Sequence, residues 1–141
     1  MRFMDSKNHL HDQQILDVLA YSLYMPAEEK LRSLADTYAS DPHIRVFSCA
    51  DNGCVMGVIV LKCRTMPAAE IVHIAVSPAF RGRGVGSSLV SFAVSRLGCC
   101  KVRAETDEEA VGFYRRHGFD AESLGEKHPG HIRYSCTLNV P

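Results

Sequence analysis

Residues 77 to 87 read Ser-Pro-Ala-Phe-Arg-Gly-Arg-Gly-Val-Gly-Ser, and this stretch constrains the chain more than any other. An apolar strand pattern, Ile71 to Val76, runs into it, and an amphipathic helix pattern leaves it. Three glycines, Gly82, Gly84 and Gly86, let the backbone turn tightly and bring several N–H groups close to a ligand. The first turn of the following helix adds unpaired N–H groups and the positive end of its dipole. Arg81 and Arg83 add two charges. A strand, a glycine-arginine loop and a helix N-terminus together predict an anion site, for a phosphate or a pyrophosphate.

The loop is not a Walker A motif, because no Gly-Lys-Ser/Thr closes it. A dinucleotide fingerprint needs a third glycine where Ser87 stands, although Glu105 lies at about the right distance for a ribose contact. Arg-x-x-Gly-x-Gly, Arg81 to Gly86, fits better: it resembles the acetyl-CoA signature of the GNAT superfamily of N-acetyltransferases. A second match lies downstream. Asp107 to Phe119 (Asp-Glu-Glu-Ala-Val-Gly-Phe-Tyr-Arg-Arg-His-Gly-Phe) resembles the Asn-x-x-Ala-x-x-Phe-Tyr-x-x-x-Gly-Phe element of that superfamily, with Asp107 in place of the usual Asn. The resemblance spans about Cys54 to Phe119.

Size and composition agree with one enzyme-sized unit. The 141 residues suffice for one domain, residues 1–141, with a sizeable core and no room for two. With 46% hydrophobic and 23% charged residues, the chain belongs with ordinary globular proteins rather than disordered or membrane ones. Sixteen basic and 16 acidic residues balance to a net charge of +0, so no basic field is available for nucleic acid, and Arg115 and Arg116 are too few to make a patch. No segment approaches a membrane span, and Met1 to Asp12 is too polar for a signal peptide. The expectation is a cytoplasmic protein whose Cys49, Cys54, Cys63, Cys99, Cys100 and Cys136 stay as thiols. No paired Cys-x-x-Cys occurs, and a metal site, even one from His128, His131 and Cys136, is not expected.

In chain order, Met1 to Met4 reads as a short strand. Ile15, Val18, Leu19 and Leu23 lie at helical spacing, in a helix that should stop before Pro26, with Leu23, Tyr24 and Met25 as the joint to a second helix. Pro26, Glu28 and Glu29 suit the first turn of that helix, which carries Leu31, Leu34, Ala35 and Tyr38 on one face until Asp41-Pro42. Ile44 to Ala50 and Cys54 to Cys63 read as strands joined by an Asp51-Asn52-Gly53 hairpin, because Asn-Gly tolerates positive φ. Arg64 to Ala68 turns the chain, and Glu70 to Val76 returns antiparallel. A helix from Gly84 stops at Gly98, and Lys101 to Glu105 follows as a strand parallel to its predecessor across a right-handed crossover. Thr106 and Glu109 form a capping-box pattern for a last helix that ends at Gly118. Its interior Gly112 costs about 1 kcal/mol against alanine and predicts a close approach to the backbone. Phe119 to Gly125 and Ile132 to Val140 close a mixed α/β sheet of six to seven strands flanked by about four helices.

The resemblance implies an N-acetyltransferase that moves an acetyl group from acetyl-CoA, as co-substrate, to a primary amine by direct attack. A dimer would be ordinary for the superfamily. Backbone N–H groups of Gly82, Gly84, Gly86 and Ser87 would hold the pyrophosphate, with Arg81, Arg83, Val85, Asp107 and Phe113 alongside. The pantetheine arm would lie along Ile74, Ala75 and Val76 as an extra strand would, in a splay between the strands bearing Val76 and Lys101. The Ile74 N–H would polarise the thioester carbonyl. Tyr114 matches the tyrosine near the cofactor sulfur and would protonate the leaving thiolate. Glu70 is the leading candidate base. It lies four residues before Ile74, about 13 Å along an extended strand, and would act through water. His73 is nearer, and plain alternation puts the two on opposite faces, so that at most one looks into the site. A non-catalytic acyl-CoA-binding module and a dinucleotide-binding α/β domain remain as alternatives.

Overall fold

The computed structural model describes residues 1–24 and 26–141; Met25, part of the expected interhelical joint, lies outside the described residues. Seven strands form one sheet in the order β1-β2-β3-β4-β5-β7-β6. They are β1 (Arg2–Asp5), β2 (Ile44–Asp51), β3 (Cys54–Thr65), β4 (Ala68–Val76), β5 (Lys101–Asp107), β6 (Asp120–His128) and β7 (His131–Asn139). Among the described residues four α-helices accompany them: α1 (Gln13–Leu19), α2 (Glu28–Ser40), α3 (Val85–Leu97) and α4 (Val111–Arg116). Among the described residues only β4 and β5 pair in parallel, as a crossover through α3 allows.

The hairpin at Asp51-Asn52-Gly53 forms as expected, with φ of 50° at Asn52 and 75° at Gly53. Elsewhere the strands are longer than their patterns. The expected turn over Arg64 to Ala68 shrinks to Met66-Pro67, and the expected loop before β7 shrinks to Pro129-Gly130. The first helix ends early. After Leu19 the chain tightens into a 3-10 turn over Ala20–Leu23, closed by Tyr24 at a left-handed φ of 56°. The capping box also gives way. Thr106 is a buried β5 residue, and Asp107 Oδ1 accepts the Ala110 N–H at 2.9 Å, closing the turn that leads into α4, which begins at Val111 with no side-chain cap.

Apolar residues on the two faces of the sheet make two cores. Phe47, Ile59, Leu61, Ile71, Leu89, Val102 and Tyr114 gather under α3 and α4, while Leu16, Leu19, Leu31, Ala35, Val46, Val60 and Ala75 gather under α1 and α2. Gly57 seats α3 on β3. A Cβ there would lie 2.8 Å from Leu89 Cδ1, 3.0 Å from Val85 Cγ1 and 3.2 Å from the Ala75 carbonyl oxygen. Gly57→Val should therefore destabilise the fold by about 1–3 kcal/mol through overpacking, read as a lower urea midpoint at an unchanged m-value.

Two departures from regular pairing shape the centre of the sheet. The β4·β5 pairing covers only Ala68–Glu70 against Lys101–Arg103, although the strands continue to Val76 and Asp107. Beyond Glu70 they part, and a wedge opens between them. The second departure is a bulge: His73 faces Val60 and Ile71 faces Leu61, so Val72 is the extra residue.

Candidate active site

The glycine loop stands at the mouth of the wedge. Gly82 and Gly84 have φ of 77° and 74°, and open space lies where their Cβ atoms would be. This is left-handed backbone that other residues reach only at a cost. Gly86 is needed for a different reason. A Cβ there would sit 2.9 Å from Phe113 Cε1. The first intrahelical bond of α3 runs from the Ser88 N–H to the Gly84 carbonyl at 3.0 Å. Among the described residues, no N–H from Gly82 to Ser87 donates to a backbone carbonyl. Six successive donors at a helix N-terminus make a cradle for an anion.

Two adjoining cavities, of about 740 and 510 Å³, follow the wedge inward and share Tyr21, Tyr24, Val76, Gly86, Asp107, Ala110 and Phe113. The larger lies on the loop and takes in Arg81, Gly82, Gly84, Val85, Ser87 and Arg116. The smaller runs along β4, past Ile71, Val72, His73 and Ile74, to Tyr114 and to Thr106 and Glu105 on β5. Of the residues expected at the cofactor, Ile74, Val76, Arg81, Gly82, Gly84, Val85, Gly86, Ser87, Asp107, Phe113 and Tyr114 are thus brought together.

Three expected residues stand apart. The Ala75 side chain is buried in the α1–α2 core, which leaves its main chain to the wedge. The Arg83 guanidinium lies 5.6 Å over the Phe80 ring and does not line either cavity. Glu70 sits at the apex, where β4 is still paired with Arg103, and lines neither cavity. Arg81 itself is tied back to the strand: its Nε donates to the Val76 carbonyl at 3.2 Å, and its guanidinium lies 5.7 Å from the Tyr21 ring centre.

The bulge overturns the expectation that Glu70 and His73 point to opposite faces. Residues directly opposite in an antiparallel pair share a face. His73 opposes Val60 and Glu70 opposes Lys62, two residues on, so both point to the α1–α2 side. One inserted residue reverses the parity. His73 Nε2 is 2.8 Å from the Tyr38 hydroxyl. Burial lowers the His73 pKa and raises that of Tyr38, so the imidazole is neutral and the phenol protonated at neutral pH.

Tyr114 is 5% exposed, edge-on to the rings of Phe113 and Phe119 at 5.2 and 5.1 Å. Burial, with a smaller contribution from Cys136, pushes its phenol up to about 12. No buried side-chain N or O among the described residues lacks a partner, and the Tyr114 hydroxyl bonds to none of them, so it opens to the cavity. Asp107 also accepts the Tyr24 O–H, at 2.9 Å. Burial raises its carboxyl, but the bonds from Ala110 and Tyr24 outweigh that and hold it below the usual carboxylate range.

Arg116 and Arg133 carry no signal in the sequence that marks them as site residues. Tyr21 and Tyr24 fall in the Leu10 to Tyr38 segment expected to shape the acceptor pocket, but nothing local pointed these two at β4 and β5. Glu105, the candidate ribose contact, is instead paired with Arg133 at 3.2 Å and Lys127 at 3.6 Å. His128 faces His131 across the hairpin while Cys136 is buried five residues further along β7, and no group of three metal-ligating side chains occurs among the described residues. Gly112 meets neither the sheet nor another helix: the nearest atom to a Cβ there would be Arg116 Nη1, at 3.2 Å. No helix among the described residues is long and apolar enough to cross a membrane.

Comparison with known proteins places this geometry. A family model described as an acetyltransferase (GNAT) domain matches residues 42–121. A curated relative from Methanocaldococcus jannaschii, described as an uncharacterized N-acetyltransferase, is 32% identical over a 91-residue alignment that covers 55% of this chain. The chain spans only 40% of that relative's length. Among solved structures, one from Desulfovibrio desulfuricans, described as an acetyltransferase of the GNAT family, superposes with a TM-score of 0.80 at 20% identity over 99% of both chains. An aminoglycoside 6'-N-acetyltransferase complexed with coenzyme A superposes at 0.74 and 15% identity, over 100% of this chain and 98% of that one.

Proposed function

The chain belongs to the GNAT acetyltransferase family, and from that premise we propose that it transfers an acetyl group from acetyl-CoA to a primary amine by direct attack, without a covalent enzyme intermediate. The observation that carries this reading is the wedge between β4 and β5 with six unused N–H donors at its mouth. Acetyl-CoA fits it chemically. A diphosphate matches the row of donors, and an amide-bearing pantetheine arm matches the unpaired edge of β4. When bound, acetyl-CoA supplies an activated thioester; the chain supplies position and proton traffic.

In this reading Gly82, Gly84, Gly86 and Ser87 hold the diphosphate through their N–H groups, with Arg81 and Arg116 adding charge. Val85 and Phe113 flank it, and the main chain of Ile74, Ala75 and Val76 aligns the arm. The Ile74 N–H stabilises the developing oxyanion, and Tyr114 points its hydroxyl at the leaving sulfur. Asp107 keeps the start of α4 in place through the Ala110 N–H. The amine enters beside Tyr21 and Tyr24 and loses its proton toward the face that holds both His73 and Glu70. His73 is favoured as base because it lines the cavity and is neutral. We place the protein in the cytoplasm, where its six free thiols would persist.

Release of free coenzyme A thiol from acetyl-CoA, dependent on an added amine from a panel of polyamines, aminoglycosides and peptides, tests the reaction. Binding of acetyl-CoA without release for any amine would instead make the chain a binding module. A second measurement separates the bases. His73→Gln should lower kcat/KM about a hundredfold and abolish its acid limb. In the unmodified protein that limb reflects loss of activity as pH falls below about 6.5 through the depressed His73 pKa. Glu70→Gln should retain the limb. The reverse pattern would give the role to Glu70.

A further inference from the structure

One side-chain pair at the anion cradle is not used in the reaction above, which takes only the main-chain N–H of Ser87. Ser87, in the first turn of α3, has its hydroxyl 2.7 Å from Nδ1 of His117, the residue that caps α4. Ser87 lines the loop cavity, whereas His117 stands behind it, between the rings of Phe113 at 6.5 Å and Phe119 at 5.9 Å. A serine hydroxyl has one proton to give, and which way it points depends on its neighbour. Beside a neutral imidazole with a bare Nδ1, the Ser87 O–H is spent on His117. Beside an imidazolium, Nδ1–H donates to Ser87 Oγ, and the Ser87 O–H turns free to donate into the cradle.

We propose that His117 is a positioning residue that couples coenzyme A binding to uptake of a proton, with Ser87 as the relay between imidazolium and diphosphate. The inference rests on the acetyl-CoA reading of the loop. An anion in the cradle favours the charged ring and its freed hydroxyl together; by linkage, protonating the ring must tighten binding by the same factor. Burial lowers the His117 pKa in the free protein, so the ring is mostly neutral there at neutral pH and has a proton to gain. The titratable groups bordering the cavities that His117 touches are the Cys99 and Cys100 thiols, the amino terminus at Met1 and the carboxyl terminus at Pro141. The Arg115 guanidinium lies over the Tyr134 ring, and that of Arg116 is beside Gly112.

Titration calorimetry with 3'-dephospho-coenzyme A tests this. Its diphosphate keeps a constant charge over the range, unlike a phosphomonoester with a second pKa near 6. The unmodified protein should bind about tenfold more tightly at pH 5.5 than at pH 8, with uptake of up to one proton, since an opposite charge at this range moves a pKa by about 1–3 units. His117→Gln should bind at all pH values with no proton uptake and a flat profile. Ser87→Ala should lose most of the low-pH gain while His117 still titrates by NMR. The same pH profile in the unmodified protein and His117→Gln overturns the inference alone. Failure of the unmodified protein to bind the probe at any pH overturns the acetyl-CoA reading, and the inference with it.

Discussion

Replacing Gly84 and Gly86 together with valine is expected to cost at least about a hundredfold in affinity for coenzyme A while the domain stays folded. The two positions act differently. At Gly84, with φ of 74°, any side chain meets open space but must hold a left-handed backbone, a strain of about 1–2 kcal/mol that the loop can relieve by turning its N–H groups away from the cradle. At Gly86 the added carbons meet Phe113, first at 2.9 Å, and push its ring into the cavity. Hydrogen bonds to a charged ligand contribute about 1.5–3 kcal/mol each, so losing two reaches the stated factor at 1.4 kcal/mol per tenfold. Calorimetry gives the affinity, and far-ultraviolet circular dichroism with a urea melt confirms the fold. Should the double variant unfold, Gly84→Ala alone carries the test, with about a tenfold loss expected. Undiminished affinity in a folded variant would remove the loop from the site.

The other large effect is expected at Tyr114. Tyr114→Phe should lower kcat about a hundredfold, with KM nearly unchanged, as loss of an interaction made in the transition state requires. The raised phenol pKa bears on what the hydroxyl does. At about 12 it stays protonated at any working pH, yet it is a poorer acid than an ordinary tyrosine toward a thiolate with a pKa near 8.5. Its contribution is therefore a hydrogen bond to the sulfur that strengthens as charge develops there, the proton staying on the phenol while the leaving thiolate takes its proton from solvent. Stability should change little, because the hydroxyl opens to the cavity and both aromatic contacts survive in phenylalanine. A pH melt gives a second readout. The unfolded chain releases the tyrosine proton near 10 and the folded one only near 12, so folded-state stability is complete below pH 10. It should fall by about 3 kcal/mol as pH rises through that window, and the phenylalanine variant should lack this share of the loss. An unchanged kcat in Tyr114→Phe would leave Tyr114 as a core residue.

Much of this was legible along the chain because it is local. The Asn52-Gly53 turn, the glycines of the 82–86 loop, the stop of α3 at Gly98 and the apolar runs of β2 to β4 are each decided by φ preferences or by burial over a few residues. Local patterns also misled where two of them competed. Thr106 and Glu109 look like a capping box, but pairing of β5 with β7 continues through Thr106 and Asp107 and holds both in the strand. The Asp107 carboxylate, one residue later, holds the turn before the helix through the Ala110 N–H instead.

By itself the sequence determined where the glycine loop would turn and which helix would open from it, because glycine alone takes left-handed backbone without strain and the first turn of any helix leaves its N–H groups unpaired. Only the tertiary structure decided what faces the cradle and the wedge. The extra residue Val72 slips the two-residue period of β4 and brings Glu70 and His73 to one face. Tyr24 reaches Asp107, Tyr38 reaches His73, and His117 reaches Ser87 across separations of 83, 35 and 30 residues. Periodicity carries information about a side chain's direction only while the strand stays regular, and no local preference records which distant residue will pack against it.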